Sequence, residues 1–312
     1  MKIGIRLLLT LFLQFYFFSF QAQENQTSDL RNITFQISPE RDSIQLDLFL
    51  PKVKKFDKTP LVFHIHGGAW VEGDKNFEKQ YYMRSLRDSL QKSGYAMISI
   101  NYRLLNSKVS LNEQLDDAYT ALNWLNANAS KYNLDLNNIG IMGESAGSHL
   151  ALMLAYSTIQ NKNIHFNYVI DLFGPTDLNQ LFKTDAGGLI RFAFKTFKPK
   201  LYHLRNKLIS DMTLTNIETN KSKVKEVLAK YSPINYINKN TKTPILIQQG
   251  NKDHIVPYRQ SKNLKNKLDA EKVENQFITV EKGNHGFTTT PRDKVNDLIA
   301  ASLAFINKHY QK

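Results

Sequence analysis

Gly143-Glu-Ser-Ala-Gly147 sets a serine between two glycines. A short apolar run, Ile139 to Met142, precedes it and a helical-looking stretch, His149 to Tyr156, follows it. A serine on a sharp strand-to-helix turn has a strained backbone and needs small neighbours. Its hydroxyl then projects into a cleft, where the N–H of Ala146 at the helix start can face a developing oxyanion. The chemistry is nucleophilic attack on an acyl carbonyl, which also requires a base, an acid to orient that base, and further N–H donors. G-x-S-x-G occurs by chance in long chains, so the partners decide its meaning.

Two later stretches supply those partners. Pro244 to Gln249 reads as a strand with Asp253 just past its end, and Gln276 to Val280 reads as a strand with His285 in the loop beyond it. The chain order Ser145, Asp253, His285 is that of the α/β-hydrolases. His285 is assigned as the general base and Asp253 as the acid that fixes its tautomer, with Asp177 as the alternative acid. A third stretch, His64-Ile-His-Gly-Gly-Ala-Trp70, directly follows a dense apolar run. Gly68 and Ala69, with Ala146, are expected to offer the oxyanion-binding N–H groups, while Gly67 allows the turn. His66 is expected to organise that loop without carrying protons, and His64, His149 and His254 to be structural. The histidines lack the H-x-x-x-H spacing of a metal site, so neither metal nor cofactor is expected.

The elements that must hold these groups alternate along the chain. Ile33 to Ile37 and Ser43 to Leu50 alternate apolar and polar residues, as an antiparallel pair at a sheet edge would. Pro60 to His66, Tyr95 to Tyr102, Ile139 to Met142 and Tyr168 to Phe173 are dense apolar runs suited to central strands. With the two strands before Asp253 and His285 they make eight. Helical spacing lies between them, over Phe77 to Ser93, Leu111 to Tyr132, Gln260 to Leu268 and Lys294 to His309. The pattern predicts an α/β fold, a mostly parallel eight-stranded sheet with helices on both faces and the site at the C-terminal strand ends. Leu178 to Lys230 breaks the alternation. It is basic and aromatic without strand signal, and it predicts a helical insertion forming part of a substrate cleft. Most of its aromatics (Phe182, Phe192, Phe194, Phe197, Tyr202) are expected to pack onto the core.

The whole set resembles the α/β-hydrolases of the hormone-sensitive-lipase-like and acetyl-xylan-esterase-like group, nearest to small bacterial esterases with an H-G-G-x-W loop. The motifs that carry the resemblance run from residue 61 nearly to the end. They include HIHGGAWVEGDK, GYAMISINYRL, GIMGESAGSHLAL, LFGPTDL, SPINYI, GNKDHIVPY and GNHGF. Ala69 stands where many members have a third glycine, and Ser148 where a further glycine is common; neither change removes an N–H donor. The resemblance implies acyl-ester hydrolysis without fixing acid or alcohol. It also implies that Asn101, Tyr102, Arg103 and Asp117 tie loops together beneath the site and that Glu144 braces the serine turn.

Composition bounds the setting. The chain has 312 residues and 42% hydrophobic content, enough for one large core. Lys2 and Arg6 precede an apolar run from Leu7 to Phe20, and small Ala22 follows. This predicts a secretory signal over 1–22, a mature hydrolase domain over 23–312, and a periplasmic or extracellular location, with an uncleaved anchor as the alternative. The absence of cysteine excludes disulfides and lipidation at a cysteine. The formal net charge is +13, and residues 178–230 carry eleven Lys/Arg against four Asp/Glu. Such a surface could steer acidic polysaccharide or an anionic envelope, or be a solvated face; no nucleic-acid motif accompanies it. The expected activity is a secreted serine esterase that removes acetyl or similar groups from polysaccharide or its fragments. Alternatives are a general short-chain carboxylesterase, an arylformamidase, an exopeptidase, or a catalytically silent binding protein on the same scaffold. The sequence leaves the oligomeric state open.

Overall fold

The computed structural model of the chain describes residues 29–158 and 164–311. The signal expected over 1–22 lies outside the described residues. The sheet holds β1 (Leu30–Ile37), β2 (Ser43–Phe49), β3 (Thr59–Ile65), β4 (Ala96–Ile100), β5 (Leu134–Glu144), β6 (Tyr168–Leu172), β7 (Ile245–Gly250) and β8 (Asn275–Val280). Their order is β1-β2-β4-β3-β5-β6-β7-β8. β2 pairs antiparallel with both β1 and β4, and every pairing from β4 to β8 is parallel. The edge pair and the dense central runs therefore sit where their apolar patterns assign them.

The helices are, in chain order, α1 (Tyr81–Lys92), α2 (Leu111–Asn128), α3 (Ala146–Tyr156), α4 (Leu178–Leu181), α5 (Gly188–Phe197), α6 (Pro199–Thr213), α7 (Lys221–Lys230), α8 (Arg259–Ala270) and α9 (Arg292–Lys308). They cover both faces of the sheet because side chains alternate along each strand. Leu61, Phe63 and Ile65 of β3 enter one core with Leu115 and Leu122 of α2, Leu150 of α3 and Leu264 of α8. Val62 enters the other, with Leu86 and Leu90 of α1 and Leu298 and Ile306 of α9. Ser110 starts α2 with a capping box, its side chain accepting from Asn112 N–H while Glu113 reaches back to the Ser110 N–H at 2.7 Å.

Three boundaries differ from the expected ones by four residues or more. The helix expected from Phe77 begins at Tyr81. Gln80 N–H instead closes a turn on the Phe77 carbonyl at 2.8 Å, and the Phe77 ring packs on Phe49. The helix expected to run to Tyr132 ends at Asn128. β5 begins at Leu134, earlier than its apolar run, because Asp135, Asn137 and Asn138 mask the period.

Between β6 and β7 the insertion is helical, as expected, but its aromatics divide. Phe182 and Tyr202 are buried, whereas Phe192 and Phe197 are 67% and 80% exposed. The expectation that most would pack onto the core fails for α5, no residue of which is buried.

Candidate active site

Ser145 stands alone between β5 and α3, with φ 54° and ψ −119°. Positive φ at a non-glycine residue costs roughly 1–2 kcal/mol, so the surroundings must hold it there. They do so from both sides: Ser145 N–H donates to the Leu172 carbonyl at 2.9 Å, and the Ser145 carbonyl accepts from His149 N–H at 3.1 Å. The turn is so tight that a Cβ on Gly143 would lie 2.4 Å from the Gly147 carbonyl carbon, and one on Gly147 would lie 2.1 Å from the Ile65 carbonyl oxygen. That crowding is the physical content of the glycine spacing.

His285 reaches Ser145 from the loop after β8, with Nε2 3.0 Å from Ser145 Oγ. Its Nδ1 lies 2.7 Å from Asp253 Oδ2. Asp253 Oδ1 accepts from the N–H groups of Ile255 and Val256 at 2.8 and 2.9 Å, and Oδ2 accepts from Gln249 Nε2 at 2.9 Å. An oxygen surrounded by donors accepts, so Nδ1 of His285 carries the proton and Nε2 is left to accept from the serine hydroxyl. Gln249 is in turn held by Ser261, which donates to its Oε1 at 2.9 Å. The Phe173 ring meets His285 edge-on, 4.8 Å between centroids. Neither Gln249 nor Phe173 was identifiable in the sequence, where both read as the ends of apolar strands. Asp177, the alternative acid, instead caps α4, accepting from Gln180 N–H at 3.0 Å.

The loop after β3 runs through three successive positive φ values, 115° at Gly68, 49° at Ala69 and 64° at Trp70. A Cβ on Gly68 would lie 2.0 Å from the Glu72 carbonyl oxygen, so only glycine fits there. Among the described residues, the N–H groups of Gly68, Ala69 and Ala146 have no acceptor within the protein. Trp70 pins the loop. Its carbonyl accepts from Leu105 N–H and Gln114 Nε2, and its indole N–H donates to His149 Nδ1 at 3.2 Å. His149 Nε2–H then donates to the Tyr231 carbonyl at 2.7 Å, bridging the loop after β3 to the end of the insertion. Burial pushes His149 down to about 4, which keeps Nδ1 free to accept. His66 is buried and stacked on Tyr102, 4.4 Å between centroids, and its Nδ1–H donates to the Gly67 carbonyl at 2.7 Å. Burial lowers its pKa too, consistent with an organising group.

Beneath the turn lie buried polar groups. Ser99 Oγ donates to the Lys75 carbonyl at 2.8 Å and accepts from His64 Nδ1–H at 2.9 Å, while His64 Nε2 meets Glu144 Oε2 at 2.6 Å. Burial opposes ionisation of Glu144, but His64, His66 and the Gly67 N–H together outweigh it and hold the carboxyl below its ordinary value. Glu144 thus braces the strand end from below. Arg103 and Asp117 form a two-pronged pair, Nη2 to Oδ1 2.7 Å and Nε to Oδ2 2.9 Å, that ties the loop after β4 to α2.

Asp171 of β6 is fully buried and bonded by Ser148 Oγ–H and Gly174 N–H, and its Oδ2 has no partner. Burial pushes it up to about 6. Unfolded, it titrates near 3.9. Below about pH 4 both states hold the proton and its full contribution is present; as pH rises through 6 the folded state must bury a charge and that contribution is lost. About two pKa units correspond to ~3 kcal/mol. Asp171→Asn cannot ionise, so the difference in Tm (variant minus parent) should grow by several °C between about pH 4 and pH 7. A difference constant with pH in thermal unfolding would mean Asp171 does not titrate there.

Ser145 and His285 open into a cavity of about 680 Å³ whose walls include Gly68, Tyr81, Tyr82, Phe173 and Phe287. No residue of 178–230 lines it, contrary to the cleft role expected of the insertion. Lys79 and Arg292 stand at its edge. Arg292 stacks on the Tyr81 ring at 3.7 Å, and neither cation has a carboxylate partner among the described residues. No group of three His, Cys, Asp or Glu side chains among the described residues is placed to hold a metal ion.

Comparison with known proteins bears on the family and the fold. The family model described as BD-FAE matches residues 46–268, more than half of the chain. Arylacetamide deacetylase of Bos taurus is 31% identical over 149 residues, covering 46% of this chain and 35% of that protein. Esterase LipC of Mycobacterium tuberculosis is 21% identical over 273 residues, covering 84% of this chain and 62% of that protein. The chain thus spans less than two thirds of the length of these curated relatives. Among solved structures, a truncated form of a carbohydrate esterase from gut microbiota superposes with TM-score 0.67 at 25% identity, over 92% of this chain and 98% of that one.

Proposed function

We propose that this chain, which belongs to the BD-FAE family, is an exported serine carboxylesterase that removes acetyl or similar small acyl groups from polysaccharide or its fragments. The observation that carries the reaction class is the continuous hydrogen-bond line from Ser145 Oγ through His285 to Asp253, 3.0 and 2.7 Å, beside three free backbone N–H groups. In this mechanism Ser145 attacks the ester carbonyl as His285 Nε2 takes its proton. The tetrahedral oxyanion is received by the amides of Gly68, Ala69 and Ala146, each preorganised donor worth on the order of 10²–10³ in rate. His285 then returns the proton to the leaving alcohol, and water repeats the sequence on the acyl-enzyme. Asp253 stabilises the imidazolium formed at each step.

The carbohydrate side rests on three supports. One is the likeness to a carbohydrate esterase over nearly the whole chain. Another is the signal-like sequence over 1–22. The third is the charge at the cavity edge: Glu144 and Asp74 are engaged in internal bonds, leaving Lys79 and Arg292 opposed by Glu72. That balance favours esters on sugars bearing carboxylates. Acetate release from acetylated xylan and acetylated uronic polymers, measured beside p-nitrophenyl acetate and butyrate, tests it. Release from polymer is expected, and Arg292→Ala should raise KM for the uronic polymer about tenfold while leaving p-nitrophenyl acetate unaffected. Hydrolysis of the small esters alone would leave a general short-chain esterase and remove the polysaccharide assignment.

A further inference from the structure

Among the described residues large exposed apolar side chains are few, and they are unevenly placed. Leu189, Ile190, Phe192 and Phe197 of α5 are 82%, 62%, 67% and 80% exposed, and Leu201 and Leu204 of the adjoining α6 are 53% and 63% exposed. On a helix of 3.6 residues per turn, Phe192, Leu189, Phe197 and Ile190 fall within one apolar arc of α5, and Arg191 and Lys195 fall beside it. Lys198 and Lys200 lie at the joint between the two helices. Arg191, Lys195, Lys198 and Lys200 have no carboxylate partner among the described residues, and residues 186–210 contain no Asp or Glu. Monomeric soluble proteins rarely leave so concentrated an apolar patch in water without a use for it.

The charge and the apolar surface together select the occupant. A second copy of the chain would bring one cationic face against another, a like-charge contact that disfavours pairing. A hydrophilic polyanion would satisfy the cations but leave Leu189, Ile190, Leu201 and Leu204 in water. An anionic lipid surface satisfies both, because apolar side chains enter the headgroup–acyl boundary while flanking Lys and Arg meet phosphates. α5 and α6 have 10 and 15 residues, short of the ~20 a span needs, so this face would lie on the bilayer. We propose that the α5–α6 face is a docking surface for an anionic lipid bilayer, holding the hydrolase at an envelope. Ser145 and its cavity have no share in the contact, since no residue of 178–230 lines that cavity.

Co-sedimentation of the purified protein, as its producing cell leaves it, with lipid vesicles tests this. Vesicles with roughly one-third phosphatidylglycerol in phosphatidylcholine should bind it at least about tenfold more tightly than phosphatidylcholine alone, and about 0.5 M salt should remove that preference. The combined variant Leu189→Ser, Phe192→Ser, Phe197→Ser carries the same N-terminus as the parent, so any change reads the patch. It should lose at least about tenfold in vesicle affinity while hydrolysing p-nitrophenyl acetate at the parent rate. Should that variant fold poorly, Lys198→Glu, Lys200→Glu alters only exposed charge and should show the same loss. Equal binding to neutral and anionic vesicles, undiminished binding by a folded variant, or binding to polygalacturonate with vesicles ignored would each overturn the proposal.

Discussion

Ser145→Ala is expected to lower the hydrolysis of short acyl esters by about 10⁴-fold or more, with little change in stability. The loss is large because, in the proposed mechanism, the serine oxygen is the atom that bonds the acyl carbon. Stability should hold because alanine at φ 54° is no more strained than serine, and the backbone bonds to Leu172 and from His149 do not involve the side chain. Steady-state kinetics with p-nitrophenyl acetate, beside thermal unfolding, checks both parts. Activity within tenfold of the parent in a folded variant would remove Ser145 from the chemistry.

Asp253→Asn should cost about 10⁴ in kcat with little change in KM. The N–H groups of Ile255 and Val256 both donate toward the position of Oδ1, so the asparagine carbonyl turns to them. Its NH₂ is then left facing His285 Nδ1, which must accept. The imidazole proton moves to Nε2, where it points at the serine and blocks proton abstraction. Asp177→Asn serves as the control: its amide oxygen can still accept from Gln180 N–H and cap α4, and kcat should be unchanged. The reverse pattern, with Asp177→Asn inactive and Asp253→Asn active, would move the acid to the loop after β6.

Much of this was legible in the sequence for identifiable reasons. Buried parallel strands are dense apolar runs, so six of the strands and the antiparallel edge pair could be read off in order, and with them the end of the sheet where Ser145, Asp253 and His285 must meet. Gly143, Gly147 and Gly68 could be singled out because backbones approach too closely there for any other residue. What stayed hidden depends on contacts between distant residues. Trp70 and His149 belong to separate motifs and Tyr231 directly precedes a third, and only the fold makes them one bridge. Asp171 sits in an apolar strand with nothing nearby in sequence to say that its carboxyl is buried against Ser148. Gln249 reads as a strand end until β7 delivers it against Asp253. The insertion misled in the opposite direction. Its aromatics suggest core or cleft, yet α5 carries Phe192 and Phe197 outward, because this short helix, joined at Lys198 directly to α6, buries none of its residues.

The most direct measurement is labelling of the folded protein with a fluorophosphonate probe, followed by mass mapping of the modified peptide. A serine activated as described should take up the phosphonate at Ser145 alone, stoichiometrically, with labelling abolished in Ser145→Ala and strongly slowed in His285→Ala. Label on another residue, or an active protein that takes up none, would contradict the account.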